Sequence, residues 1–186
     1  DVCSSDLKDT LSYWSYLLNS GSKTVIDSQT YDYCSKAADM IKNDPEMSKQ
    51  LGINVTDFDN CDVFNEIELQ RELEKHPFGI KGILDNLVIN HNTKSITIND
   101  LKTTSKDLKD FPESIEFYSY WMQAIIYLIL VYHKYIDLID GQNYKLNFNF
   151  VVIDRNLMYY SFPVSESTKL SWLEKLDEEV FVPANY

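Results

Sequence analysis

Two strand-like runs joined by four polar residues constrain this chain more than any other feature. The first runs from Phe78 to Asn90, the second from Ser95 to Thr104, and the connector His91-Asn-Thr-Lys94 is polar and turn-forming. The pair therefore reads as an antiparallel hairpin. Side chains alternate along a strand, so the spacing predicts that Asp85 shares a face with Ile83, Leu87 and Ile89. In the second run the same rule groups Ile96, Ile98, Asp100 and Lys102. Across the hairpin Asp85 and Asp100 come out roughly level, at the end away from the turn. An ionised carboxylate on an apolar face costs on the order of several kcal/mol unless a cation or hydrogen bonds compensate it.

That placement suggests chemistry. Two hard oxygen ligands at the open end of a hairpin suit Mg²⁺ or Mn²⁺, and a lysine beside them supplies a point charge for a phosphate or an activated water. The competing explanation is a surface ion pair between Lys102 and one of the aspartates, because Asp-x-Lys triplets are common by chance.

The sequence after the hairpin predicts one long helix from about Pro112 to His133. Asp110 is the expected N-cap, Pro112 falls in the first turn, and Glu113 takes the capping-box position. Gln123 and Tyr127 stand four residues apart and share a helix face. Gln123 is polar within an otherwise apolar stretch, which fits a hydrogen-bonded core amide as well as a site residue.

Taken together, Asp85, Asp100-x-Lys102 and Gln123-x-x-x-Tyr127 resemble the PD-(D/E)xK nuclease superfamily, in the branch whose helix carries a QxxxY motif. The wording Asp100-Leu-Lys-Thr-Thr104, followed by Tyr118-x-Tyr-x-x-Gln-Ala-x-x-Tyr127, is similar to RecE-type exonucleases (exonuclease VIII) and their phage relatives. The resemblance spans roughly residues 20 to 175. It implies a restriction-endonuclease-like core in which Asp85, Asp100 and the backbone carbonyl of Leu101 bind the metal. It further implies that Lys102 orients or deprotonates the attacking water, with Gln123, Tyr127 and Thr103 supporting the site or the DNA near it. Relatives also take a further acidic or histidine ligand from a helix before the first strand. Residues 1 to 43 hold no match, so that helix is expected to be missing from this chain. Glu66, in the run Val63 to Leu69, is the candidate for an additional carboxylate; the alternative for it and for Glu68 is a solvated strand position.

Composition bounds the rest. A chain of 186 residues with 44% hydrophobic content can bury one sizeable core, and with only five glycines and five prolines it has little linker, so a single domain over 1–186 is expected. Cys3, Cys34 and Cys61 are odd in number and far apart, which argues against a disulfide scaffold, a zinc site or a four-cysteine cluster. The apolar stretch at 122–132 is shorter than the roughly 20 residues of a membrane span, so no membrane partner and a cytoplasmic location are expected. The net charge of −12 opposes a DNA partner. Clustering of Lys81, Lys94, Lys102, Lys106 and Lys109 around the hairpin mouth is expected to offset it.

The predicted elements are helices at 6–18 and 29–42, a loop through Asp62, strands near 63–73, 79–90 and 95–103, the long helix, strands at 144–153 and 158–164, and a closing helix at 165–180. This is an α/β order, a mixed central sheet flanked by helices. The resulting expectation is a Mg²⁺-dependent deoxyribonuclease, an exonuclease acting on duplex ends in recombination or phage DNA metabolism. A homo-oligomer or a recombination partner protein would accompany it. The alternatives are an endonuclease of the same superfamily or a catalytically silent domain serving as a structural or protein-binding module.

Overall fold

The computed structural model describes residues 11, 13–16, 18, 19, 21, 26–56, 59–72 and 79–179. The chain divides into two compact units, Asp1–Ala38 and Asp39–Tyr186. Helix α1 (Ser28–Asn43) crosses the boundary. The helix expected at 6–18 lies largely outside the described residues, although residues 11, 13–16, 18 and 19 are helical.

The larger unit is built on a five-stranded mixed sheet in the order β1 (Cys61–Arg71), β2 (Ile80–Asn90), β3 (Ser95–Thr104), β4 (Lys145–Asp154), β5 (Tyr159–Pro163). Neighbours are antiparallel except β3 and β4. That parallel pair needs a crossover, which α3 (Phe111–Phe117), α4 (Tyr120–Lys134) and α5 (Ile136–Gln142) supply. The hairpin forms as expected, with Asn90 paired to Ser95 at the turn and pairing continuing to Asn86 and Asn99.

Each sheet face is covered by a helix. On one side α4 buries Trp121, Ala124, Ile125 and Leu128 in a core with Leu84, Leu87, Ile89, Ile96, Ile98, Phe148 and Phe150. The closing helix α6 (Glu166–Glu179) adds Trp172 to the same cluster. On the other side α2 (Pro45–Gln50), which falls in the expected loop, packs Met47 and Leu51 against Val151. Its start is fixed by Asp44, whose Oδ1 accepts from Glu46 N at 2.8 Å and Met47 N at 3.0 Å, with proline in the first turn.

Two expectations need correction. The long helix is broken after Phe117, and the segments Leu108–Phe117 and Tyr120–Lys134 meet at 78°. Ser119 takes the left-handed conformation (φ 54°) at the break. Burial of Phe111 favours the bend, because its ring reaches Phe150 (5.7 Å) and Phe162 (5.3 Å) at the edge of the core. Asp110 does stand at the N-cap position, but without the expected capping bond. It ends a 3₁₀ turn and sits in the helical region (φ −93°, ψ 0°), because the chain enters α3 already coiled. Among the described residues no single helix is long and apolar enough to cross a membrane; the bent pair passes that test only in combination.

Gly82 shows how closely α4 lies on β2. A Cβ there would sit 2.7 Å from Tyr127 Cε1 and 3.1 Å from Leu130 Cδ1. Overpacking of this kind costs about 1–3 kcal/mol, so Gly82→Ala should lower stability by that amount in urea denaturation; an unchanged midpoint would contradict the packing.

Candidate active site

The strands fix where the charged residues meet. Pairing between β2 and β3 stops after Asn86 and Asn99, so Asp85 and Asp100, the next pair in register, stand where the strands part. Asp85 takes over from the missing ladder bond: its Oδ2 accepts from Leu101 N at 2.8 Å. A strand residue directs its N–H and C=O to the same side, so the Leu101 carbonyl opens toward the same gap.

A second irregularity lies beside the first. β1 and β2 pair at Asn65–Asn86 and at Ile67–Leu84 but not at the intervening Glu66 and Asp85, and Glu66 has φ 54°. The alternation of faces changes there. Leu84 is fully buried with Leu87 and Ile89 in the α4-side core, whereas Ile83 is 47% exposed. The strict alternation that grouped Ile83 with Leu87 and Ile89 is thus interrupted at Asp85 itself.

Asp100 is 1% exposed. Lys102 Nζ lies 2.6 Å from its Oδ2, an ion contact without the angles of a good hydrogen bond, and Oδ1 has no partner among the described residues. Burial pushes the Asp100 carboxyl up to about 6; the Lys102 ammonium opposes the rise and the Asp85 carboxylate adds to it. Lys102 is itself mostly buried, with Nζ 4.8 Å from the centre of the Tyr120 ring.

Helix α4 completes the group. Tyr127 donates to Ile83 O at 2.8 Å and accepts from Gln123 Nε2 at 2.9 Å. Burial raises the Tyr127 phenol above its usual range, the Gln123 hydrogen bond opposes this, and the charges of Asp100 and Asp85 add to the rise. The structure therefore brings Asp85, Asp100, Lys102, Gln123 and Tyr127 into one neighbourhood.

Other candidates stand apart. Glu66 is exposed, has a left-handed backbone (φ 54°) within β1, and makes no hydrogen bond or ion pair among the described residues. Glu68 pairs with Lys81 at 2.9 Å. Thr103 is exposed, on the strand parity opposite to Asp100 and Lys102. The expected lysine cluster does not form as drawn: Lys94 belongs to the turn at the closed end, where its Nζ donates to Gln142 O at 3.2 Å, and Lys109 lies 3.7 Å from Asp107.

The charges fit a hard divalent ion in one respect above all: Asp100 is buried with an unused oxygen, next to a carboxylate and a carbonyl. Among the described residues no group of three or more His, Cys, Asp or Glu converges. Two carboxylates and a carbonyl, with water and phosphate oxygens filling the remaining positions, is a set Mg²⁺ accepts.

A residue row not anticipated from sequence lies on the opposite sheet face. Asn65, Asn86, Asn99 and Asn149 are register partners across four strands. Asn86 Nδ2 donates to Asn65 Oδ1 (2.9 Å), Asn99 Nδ2 to Asn86 Oδ1 (2.8 Å), and Asn149 Nδ2 to Asn99 Oδ1 (2.9 Å). The row also bonds the end of α2: Asn86 Nδ2 reaches Leu51 O (3.0 Å) and Asn99 Nδ2 reaches Gln50 O (3.2 Å). These are carbonyls that a helix end leaves without partners. Gln50 Nε2 in turn donates to Asn99 Oδ1 (3.1 Å) and Ser161 Oγ (2.7 Å). Asn99 thereby uses both donors and both lone pairs. The signal was present in the sequence as the mirrored pairs Asp85-Asn86 and Asn99-Asp100.

Comparison with known proteins gives the fold. No family model matches the sequence, and no curated protein matches it. A solved structure of a "putative exonuclease" from Eubacterium rectale superposes with a TM-score of 0.56 at 15% identity, covering 82% of this chain and 52% of that chain. The two chains share a fold. The mixed α/β sheet flanked by helices is thus the arrangement common to both, and the chain spans about half the length of that neighbour. A further structure, SSO0001, gives a TM-score of 0.37 at 19% identity over 81% of this chain and 62% of that chain.

Two measurements check this geometry. Replacing Asn99 with Ala orphans Asn86 Oδ1, Asn149 Nδ2 and Gln50 O, each worth about 1–3 kcal/mol when buried. Asn99→Ala should therefore lose about 3 kcal/mol in urea denaturation, and a loss below about 0.5 would contradict the saturated row. The Asp100 carboxyl holds its proton more tightly when folded than at its ordinary 3.8, so its stabilising share is fully present below about 3.8 and is lost as pH rises through about 6. In chelator, Asp100→Asn should therefore raise Tm more at pH 8 than at pH 4, whereas a pH-independent shift would contradict a buried, titrating carboxyl.

Proposed function

We propose that this chain is a metal-dependent DNA nuclease. The carrying observation is the buried Asp100 carboxylate, with one oxygen unpartnered, held against Lys102 and level with Asp85 where the hairpin strands part. The fold shared with the E. rectale protein supports the same reading.

Asp85, Asp100 and the Leu101 carbonyl would hold Mg²⁺ or Mn²⁺. When bound, the ion supplies positive charge to the phosphate oxygens and lowers the pKa of water. Lys102, fixed between Asp100 and the Tyr120 face, is positioned to orient the attacking water or to meet charge growing on the phosphate. Tyr127, tied to Ile83 O and Gln123, holds α4 against the strand that carries Asp85. Asp85 fixes Leu101 and so the register of the Asp-x-Lys triplet. The arrangement of Gln123 and Tyr127 agrees with the QxxxY branch, and the RecE-type wording favours an exonuclease acting on duplex ends in recombination or phage DNA metabolism.

A second reading has its own observation. The convergent set among the described residues stops at two carboxylates, as it would in a silent module that keeps the nuclease fold for protein binding.

Incubation with linear duplex DNA separates the two. The nuclease reading expects degradation with Mg²⁺ or Mn²⁺, none in chelator, and a fall of about 100-fold or more for Asp100→Asn and Lys102→Ala, the scale of losing one preorganised electrostatic group. Undiminished activity in Asp100→Asn would end this mechanism, and inactivity of the wild type on every DNA form would favour the silent module.

A further inference from the structure

We propose that Phe117 and Tyr118, at the bend between α3 and α4, form a stacking surface for unpaired bases at a DNA end, next to Lys102. The proposal rests on the nuclease reading for its substrate class and deepens it by saying which part of that substrate the protein holds.

The surface is an unbroken series of rings leading away from the charged group. Lys102 Nζ lies 4.8 Å from the centre of the Tyr120 ring. Tyr120 stacks with Tyr118, centroids 5.4 Å apart and planes at 30°, and Tyr118 meets Phe117 edge-on at 4.8 Å and 88°. The inner ring packs against the core, whereas Tyr118 is 57% and Phe117 78% exposed. The outer two therefore bury little on folding, and exposed aromatics grouped beside a polar site mark a contact surface.

The backbone is shaped to present them. Ser119 adopts a left-handed conformation that non-glycine residues visit only when the surroundings impose it, and such residues gather at functional sites. A straight helix from 112 to 133 would not place Tyr118 and Ser119 at the corner where the two helices meet at 78°. Beside that corner lies an open groove of about 730 Å³, lined by Gly82, Ile83, Tyr118, Ser119, Met122 and Gln123 among others.

Charge narrows the occupant. Lys81 at the groove is already paired with Glu68 at 2.9 Å, and the whole chain carries −12. A groove with so little free positive charge gains little from phosphates. Stacking needs no cation and tolerates any base, since each presents a π-face. Bases inside a duplex are already stacked on one another, so the surface favours a frayed or overhanging end over a continuous double helix.

The test uses the full chain carrying Asp100→Asn in chelator, so that binding is read without cleavage. Duplexes with a 3′ or 5′ overhang carry 2-aminopurine at the unpaired terminal position, and a blunt duplex with the same base internally paired is the control. The expected result is quenching of the overhang probe on binding, with about tenfold or greater loss of affinity in Phe117→Ala/Tyr118→Ala, a loss of the scale expected for one stacked base. Tyr118→Trp should retain affinity and Tyr118→Leu should not, while thermal melts stay unchanged because the side chains are exposed. Absence of quenching with either overhang, equal affinity in the double variant, or full retention by Tyr118→Leu would overturn the stacking surface. Failure of the nuclease reading looks different. A wild type that cuts no DNA with Mg²⁺, yet shows quenching lost in the double variant, keeps the surface and removes the chemistry. A wild type that cuts DNA with KM unaltered in the double variant keeps the chemistry and removes the surface.

Discussion

The parting of β2 and β3 after Asn86 and Asn99 is the constraint on which the rest of the site depends. A strand that leaves its partner in a buried sheet abandons backbone donors and acceptors, each of which needs a replacement. Here the replacement for Leu101 N is the Asp85 carboxylate, at 2.8 Å. The same parting leaves Asp100, one residue earlier, buried beside the gap with an oxygen unmet. The bond that replaces the lost ladder contact thus also brings a second carboxylate toward the first.

The two faces of the sheet handle this in opposite ways. On the α2 side the asparagine row closes across four strands, ties up the last carbonyls of α2 and leaves Asn99 saturated. On the α4 side, one step along, Asp85 accepts from Leu101 N, whereas Asp100 is buried with an oxygen left without a partner among the described residues. The hydrogen-bonded amide row thus lies one residue from the charged pair on both β2 and β3. Lys102 offsets part of the cost, and its position between Asp100 and the Tyr120 ring ties the charge to the bend in the helices.

The hairpin, its turn and the level placement of Asp85 with Asp100 were legible in sequence, because alternation and a polar four-residue connector leave few other arrangements. The β-strands after the crossover were also legible, Lys145 to Phe150 alternating and Phe150 to Ile153 being continuously apolar as a central strand should be. The face change at Asp85 was not, since it comes from a left-handed Glu66 on the neighbouring strand, and nothing in the residue type Glu announces it. The bend at Ser119 escaped for the same reason: no Gly or Pro marks it, and the burial of Phe111 against β4 and β5 is a tertiary effect. Helix α2 was legible and overlooked, for Asp44-Pro45-Glu46 is a clear N-cap, first-turn and acidic signal. The asparagine row required knowing the register of four strands, of which sequence supplied only two.

Direct titration of Mn²⁺ into the DNA-free chain, read by the loss of the free-ion paramagnetic resonance signal, tests the central claim that the parted strands form a cation pocket. The account predicts saturable binding of one ion per chain, abolished in both Asp85→Asn and Asp100→Asn and retained in Glu66→Gln. Saturable binding that survives both aspartate changes, or none at all with or without a short DNA duplex, would contradict it.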